Sequence, residues 1–97
     1  MQAIWNNKII AESEETIVIE GNQYFPVQSV ASEYLQMSTY TTTCPWKGTA
    51  HYYTLDVDGK TNSNAAWYYP EPKEGAVERV GKNFSNYIAF WNGVVVQ

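Results

Sequence analysis

The chain has 97 residues, enough for one domain spanning residues 1–97, and its 44% apolar content excludes general disorder. Six basic residues, spread singly along the chain, stand against ten acidic residues and give a net charge of −4. This balance argues against a nucleic-acid partner, because binding to phosphates needs a basic face.

The N-terminal segment has the pattern of a β-hairpin followed by another strand. Residues 3–5 and 8–11 flank Asn6 and Asn7, a pair that tolerates positive φ and suits a two-residue turn. Residues 16–19 are β-branched throughout and predict the next strand.

A turn and a change of period follow. Residues 20–22 (Glu-Gly-Asn) have the composition of a turn. Apolar residues then fall on one face of a short helix, which we predict over residues 29–36 with Ser29 as its N-cap. The Ser-Thr-Tyr-Thr-Thr-Thr run at residues 38–43 favours an extended strand.

The central segment predicts a second hairpin. Residues 49–57 alternate loosely between polar and apolar side chains, and residues 58–59 (Asp-Gly) form a strong hairpin signal. The polar residues at 62–64 loosen the chain before the aromatic run that follows. We expect paired antiparallel strands here.

The C-terminal third predicts one short helix and a last hairpin. Residues 73–80 suit one or two helical turns, closed by Gly81 at the C′ position. Residues 92–93 (Asn-Gly) predict a hairpin turn between strands at 87–91 and 94–96. Both ends of the chain are therefore predicted to be β-hairpins.

Three unusual strings occur in a fixed order. They are Glu-Gly-Asn-Gln-Tyr-Phe-Pro at 20–26, Cys-Pro-Trp-Lys-Gly-Thr-Ala at 44–50 followed by Tyr-Tyr at 52–53, and Ala-Trp-Tyr-Tyr-Pro-Glu-Pro at 66–72. With Ala-Phe at 89–90, these strings closely resemble the family called domain of unknown function 427. The resemblance covers nearly the whole chain, from Ala3 to Val96.

The resemblance implies a mainly β fold: a small antiparallel two-sheet β-tent-like domain with one or two short helices. Methionine sulfoxide reductase B and the thalidomide-binding domain of cereblon share this architecture. Many tent proteins hold zinc with two Cys-x-x-Cys pairs, whereas this chain has one cysteine. We therefore expect no zinc and no other cofactor, and we expect the aromatic residues to close the tent by packing. The family also carries an automated nucleotidyltransferase label, and no established activity comes with the resemblance.

The expected compartment is the cytoplasm. A single cysteine excludes an intrachain disulfide, and no apolar run approaches the roughly 18–20 residues of a membrane span. No charged-then-apolar leader opens the sequence. These features favour a soluble protein with no membrane partner.

Cys44, Lys47 and His51 are the candidate catalytic residues. A cationic Lys47 three residues away could stabilise a Cys44 thiolate, and His51 could serve as its base. Against this, a free cysteine is usually buried and inert, and the sequence supplies no oxyanion hole. Cys44 and His51 also provide only two of the four ligands of a structural zinc, so no metal site is expected.

The spacing of Asp56 and Asp58 suits a nucleotidyltransferase, in which two carboxylates on one strand face hold Mg²⁺. No glycine-rich loop that could cradle phosphates accompanies them. Asp58 is also explained by the predicted hairpin turn with Gly59.

The excess of aromatic residues gives the leading hypothesis, a small-ligand-binding module with a cleft between two sheets. Its candidate ligand-binding residues are Trp46, Lys47, Tyr53, Trp67 and Tyr69. Large rings with a polar edge suit a site with one dry and one wet side, and Lys47 would orient an anionic or carbonyl group of an unknown small molecule.

Two alternatives stay open. One is an enzyme that uses Cys44 and Lys47, and the other is a structural or interaction protein, for which a homodimer is possible. The core alone could account for some of the rings, namely Trp5, Phe25, Phe90 and Trp91.

Overall fold

Nine short strands carry the fold in the computed structural model, which describes all residues from Met1 to Gln97. The strands are β1 (Gln2–Trp5), β2 (Lys8–Glu12), β3 (Ile17–Ile19), β4 (Asn22–Tyr24), β5 (Leu35–Cys44), β6 (Gly48–Val57), β7 (Lys60–Tyr68), β8 (Ile88–Phe90) and β9 (Val95–Val96). Strands hold 53% of the residues and helices 11%, which confirms the predicted mainly β fold.

The strands form three antiparallel sheets, where the resemblance implied two. The first has the order β2-β1-β9, the second is the β3-β4 hairpin, and the third has the order β5-β6-β7-β8. Phe25 and Ile88 exchange two backbone hydrogen bonds of 2.8 Å, which attach the end of the second sheet to the edge of the third.

Two-residue turns with left-handed backbone join the hairpins. Asn6 and Asn7 have φ values of 50° and 64°, and Asp58 has a φ of 53° before Gly59. Positive φ at both central residues gives a turn whose twist matches that of the strands it joins. These two predicted turns are confirmed.

The predicted C-terminal hairpin is wrong. Asn92 does adopt a positive φ of 55°, and Gly93 follows it with a φ of 92°. However, β8 pairs with β7, whereas β9 pairs with β1. The turn therefore redirects the chain from one sheet to another, because β1 offers β9 a free edge on the far side of the core.

The predicted helix over residues 29–36 is also wrong. Two 3₁₀ turns, Val27–Ser29 and Ser32–Tyr34, stand on either side of an extended Val30. Val30 forms a bridge with Ala11, and the next residue donates its N–H to the carbonyl of Ile10 at 2.8 Å. Pairing with β2 thus overrides a helical pattern of only two turns.

One α-helix, α1 (Ala76–Val80), forms where a helical turn is predicted. Gly81 ends it with a φ of 90° and donates its N–H to the carbonyl of Val77 at 2.8 Å, as expected of a C′ glycine. None of the helices is long and apolar enough to cross a membrane.

The four-stranded sheet separates two hydrophobic clusters. Alternate residues of β8 show the division: Ile88 and Phe90 enter the first cluster with the three-stranded sheet, and Ala89 enters the second. The second cluster is covered by the β3-β4 hairpin, α1 and the segment around Phe84. Side chains on both faces of this sheet are therefore packed. The candidate functional site lies at the margin of the second cluster.

Candidate functional site

An aromatic depression of about 250 Å³, which we call the Lys47 depression, lies on the second-cluster face of the four-stranded sheet. It is lined by Lys47, Tyr52, Trp67, Tyr69 and Trp91. Tyr52 on β6 stands directly opposite Trp67 on β7, so both side chains leave the sheet on the same face. The fold thus brings together Lys47, Trp67 and Tyr69 from the predicted ligand-binding set.

Lys47 is a buried cation in the turn between β5 and β6, with only 7% of its surface exposed. Its Nζ lies 5.5 Å from the ring centre of Trp46 and 5.6 Å from that of Tyr69, within the range of a cation–π contact. The ammonium also donates a hydrogen bond to the carboxylate of Glu20. The charge is therefore held by two rings and one counter-ion.

Glu20 supplies that counter-ion from the turn between β3 and β4. Its side chain is 54% exposed, whereas the side chain of Lys47 is 9% exposed. The hydrogen bond from Lys47 holds the pKa of Glu20 below its ordinary value, and the more distant charge of Arg79 acts in the same direction. The carboxylate is therefore ionised at neutral pH and neutralises the charge of Lys47.

The two tryptophans of the depression are fixed from behind through their indole N–H groups. Trp67 Nε1 donates to the hydroxyl of Tyr24 at 3.0 Å, and the two rings meet edge to face with centres 6.1 Å apart. Trp91 Nε1 donates to the carbonyl of Asn64 at 2.7 Å, although the residue is 52% exposed. Both indole rings are therefore held in one orientation by the protein itself.

Tyr52 is fixed in the same way. Its hydroxyl shares a hydrogen bond of 3.0 Å with the hydroxyl of Thr42, and its ring lies 4.9 Å from that of Tyr40. The polar edge of Tyr52 is thus already satisfied by the protein.

Tyr69 differs from these rings because its hydroxyl has no hydrogen-bond partner in the protein. The residue is 4% exposed, and its ring packs edge to face against Phe84. No fully enclosed side-chain polar atom lacks a partner in this chain, so the Tyr69 hydroxyl must have some access to solvent, and the residue lines the depression. Burial raises the pKa of Tyr69 well above its ordinary value, so the hydroxyl keeps its proton and can donate it in a hydrogen bond.

Tyr53 and Trp46 lie outside the lining of the depression. Tyr53 leaves β6 on the opposite face, packs against the first cluster and stacks on Tyr68 with ring centres 4.8 Å apart. Trp46 touches the ammonium of Lys47, but its ring also carries the guanidinium of Arg79 at 4.1 Å and lines a separate shallow groove. The fold therefore separates Tyr53 from the predicted set and leaves Trp46 at its border.

Cys44 and His51 line a different and larger groove, of about 680 Å³, between the β5-β6 turn and the loop at residues 70–73. Cys44 is paired with Gly48, and paired residues lie on the same face of the hairpin. His51 follows Gly48 by three residues along β6, so its side chain lies on the opposite face from that of Cys44. Cys44 packs, half-buried, against the second cluster. The side chains of Cys44 and His51 therefore leave the hairpin in opposite directions, and the ammonium of Lys47 is directed to Glu20.

Asp56 and Asp58 do not share a strand face. Asp56 accepts a hydrogen bond of 2.9 Å from Gln36, whereas Asp58 lies in the turn after β6 and is 3.9 Å from Lys8. The chain contains no group of three or more His, Cys, Asp or Glu side chains placed to hold one metal ion.

Sequence reasoning misses three residues of the site: Glu20, Tyr52 and Trp91. The alternation along β6 was a usable signal for Tyr52, because Ala50 and Tyr52 share the face opposite to Tyr53. Glu20 and Trp91 lie far from Lys47 in the sequence, and only the packing of separate turns brings them to it.

Comparison with known proteins gives a family and no activity. The family described as Domain of unknown function (DUF427), with the label NTP_transf_9, matches residues 1–97. No curated protein shows a significant match to the sequence. Since the match spans the whole chain and agrees with its three motifs, this protein belongs to the DUF427 domain family.

Proposed function

We propose that this protein is a small-ligand-binding module that holds a flat compound of one or two rings in the Lys47 depression. The volume of about 250 Å³ suits a ligand of that size, since sites for drug-sized molecules begin near 300 Å³. Three aromatic side chains besides Tyr69 provide faces on which a flat body can stack.

The main support for the proposal is that the hydroxyl of the buried Tyr69 has no hydrogen-bond partner in the protein. Buried polar groups are almost always hydrogen-bonded within the protein, to ordered water or to a ligand. Here Tyr69 lines the depression, is 4% exposed and has a hydroxyl without a partner in the protein, and the ammonium of Lys47 lies 5.6 Å from the centre of its ring. The ligand should therefore carry an oxygen acceptor at one end of its ring system.

The fixed orientation of the other rings supports the same function. Hydrogen bonds hold Trp67 and Trp91 in place, so a ligand that stacks on them does not have to order them first. Such preorganisation lowers the entropic cost of binding. A cluster of rings that served only the core would not need two tryptophans at a solvent-facing margin.

A matched pair of tyrosine variants tests the proposal. Benzoate, indole-3-carboxylate and their amides would be titrated into the ¹⁵N-labelled protein, and the indole N–H signals of Trp67 and Trp91 would be followed by NMR. We expect these signals to shift together. Tyr69→Phe should weaken binding by about 5- to 10-fold, the effect of losing one hydrogen bond to a ligand.

Tyr53→Phe is the control, because it removes the same hydroxyl from the opposite face of the sheet. It should leave binding unchanged. Absence of any shift at Trp67 and Trp91 across the compounds, or equal weakening by both variants, would show that the Lys47 depression is not the binding site.

A further inference from the structure

The ion pair between Lys47 and Glu20 has one fixed and one movable member. The ammonium is enclosed by the rings of Trp46 and Tyr69, and the side chain of Lys47 is 9% exposed. The side chain of Glu20 is 54% exposed and projects from a turn. The carboxylate is therefore the member that can move into water once another anion pairs with the ammonium, whereas the ammonium stays in place.

The backbone at Glu20 is itself unusual. In the two-residue turn between β3 and β4, Glu20 has a φ of 53° and Gly21 a φ of 82°. This left-handed conformation favours glycine, asparagine or aspartate, and a glutamate there is disfavoured. The disfavoured residue is the one whose carboxylate reaches Lys47, so the turn accepts backbone strain where it supplies the counter-ion.

Charge balance decides what can take the place of Glu20. A buried ammonium without a counter-ion is costly, so a neutral group that displaced Glu20 would leave an unpaired charge. A ligand carboxylate replaces the carboxylate of Glu20 as the counter-ion of Lys47. It can also accept a hydrogen bond from the free hydroxyl of Tyr69. This exchange leaves every polar group of the depression paired.

We infer that the ligand is a flat carboxylate, and that its carboxylate replaces that of Glu20 on Lys47, so that Glu20 is a built-in competitor for the site. This inference rests on the proposed function. Glu20 is attached to the same domain, so it competes at a high effective concentration. Binding of the ligand then frees Glu20 rather than adding a second anion to the ammonium.

The test compares indole-3-carboxylate with indole-3-carboxamide, which differ only in charge at the oxygen-bearing end. Affinities would be measured by NMR titration for the wild type, Glu20→Gln and the control Glu14→Gln, which removes the same charge from an exposed loop residue. Removing the competitor in Glu20→Gln should raise the affinity for the carboxylate by about tenfold and that for the carboxamide by less than about twofold. Glu14→Gln should change neither.

A second variant guards against loss of folding. Glu20→Asn removes the carboxylate and suits the left-handed turn, so it should fold and show the same selective gain. Equal binding of carboxylate and carboxamide, without a selective gain in either variant, would overturn the inference and leave the binding function standing. Tighter binding of the matching amine, lost in Glu20→Gln, would overturn it as well. If none of these compounds binds, the proposed function fails and the inference with it.

Discussion

Gly48 shows how one missing side chain lets two loops meet beside the site. Its φ is 117°, and a Cβ atom there would lie 3.2 Å from both the carbonyl oxygen of Glu71 and the backbone nitrogen of Lys73. The same nitrogen donates a hydrogen bond of 2.9 Å to the carbonyl of Lys47. The loop at residues 70–73 is thus held against the turn that carries Lys47.

This packing predicts unequal costs for two glycine substitutions. Gly48→Ala should lower the free energy of unfolding by roughly 3 kcal/mol, because it combines a left-handed backbone with a contact against two backbone atoms. Gly59 has a φ of 80°, and an added Cβ there would meet no other atom. Gly59→Ala should therefore lower the free energy of unfolding by only roughly 1 kcal/mol. Urea unfolding of both variants measures the difference, and equal losses would show that the approach of the loop is unimportant.

A bulge in β7 organises the side of the Lys47 depression that Trp91 forms. The register between β6 and β7 shifts after Tyr53, and Asn64 takes a φ of 54° there. The carbonyl of Asn64 accepts a hydrogen bond from the indole N–H of Trp91. Its side-chain oxygen accepts a hydrogen bond of 2.6 Å from the hydroxyl of Ser38. The polar residues at 62–64 therefore interrupt the ladder, as the sequence indicates, but they remain inside a strand.

Two substitutions separate the backbone role of Asn64 from its side-chain role. Asn64→Ala should cost roughly 2 kcal/mol, since it loses the bond to Ser38 and puts alanine in a left-handed conformation. Asn64→Gly loses the same bond but tolerates the backbone, so it should cost roughly 1 kcal/mol. Thermal unfolding of the two variants measures both losses of stability. Greater destabilisation by glycine than by alanine would mean that the positive φ carries no strain.

Across the whole molecule, three tyrosines bring their hydroxyls into or against the two hydrophobic clusters. Burial raises the pKa values of Tyr24, Tyr53 and Tyr69, because the charged phenolate is poorly solvated inside the protein. In the unfolded chain the same hydroxyls ionise near their ordinary pKa of 10.0. Folding therefore favours the neutral hydroxyl at all three positions.

This difference predicts loss of stability in alkali. Above about pH 10 the unfolded chain releases protons that the folded chain retains, so the free energy of unfolding should fall as the pH rises. Melting temperatures between pH 8 and pH 11 would show the slope. Tyr69→Phe should make the slope shallower, whereas Tyr40→Phe, at an exposed position, should not. Identical slopes in both variants would contradict this account of Tyr69.

Local chemistry alone determined two hairpin turns and the strand content, and it indicated part of the candidate site. Asn6-Asn7 and Asp58-Gly59 close hairpins because their residues accept a positive φ whatever surrounds them. Trp67, Tyr69 and Lys47 could be proposed because rings with one polar edge and a lone cation suit the margin of a core.

Tertiary structure decided what sequence neighbours cannot. Val30 is extended because it meets Ala11, and Asn92-Gly93 closes no hairpin because β9 finds its partner in β1. Both outcomes depend on which strand edge is free after the sheets pack. Segments that are distant in the sequence compete for that edge, and local propensity carries no information about the result. In the same way, Glu20 meets Lys47 only because two hairpin turns converge, so the counter-ion of the site is a property of the fold.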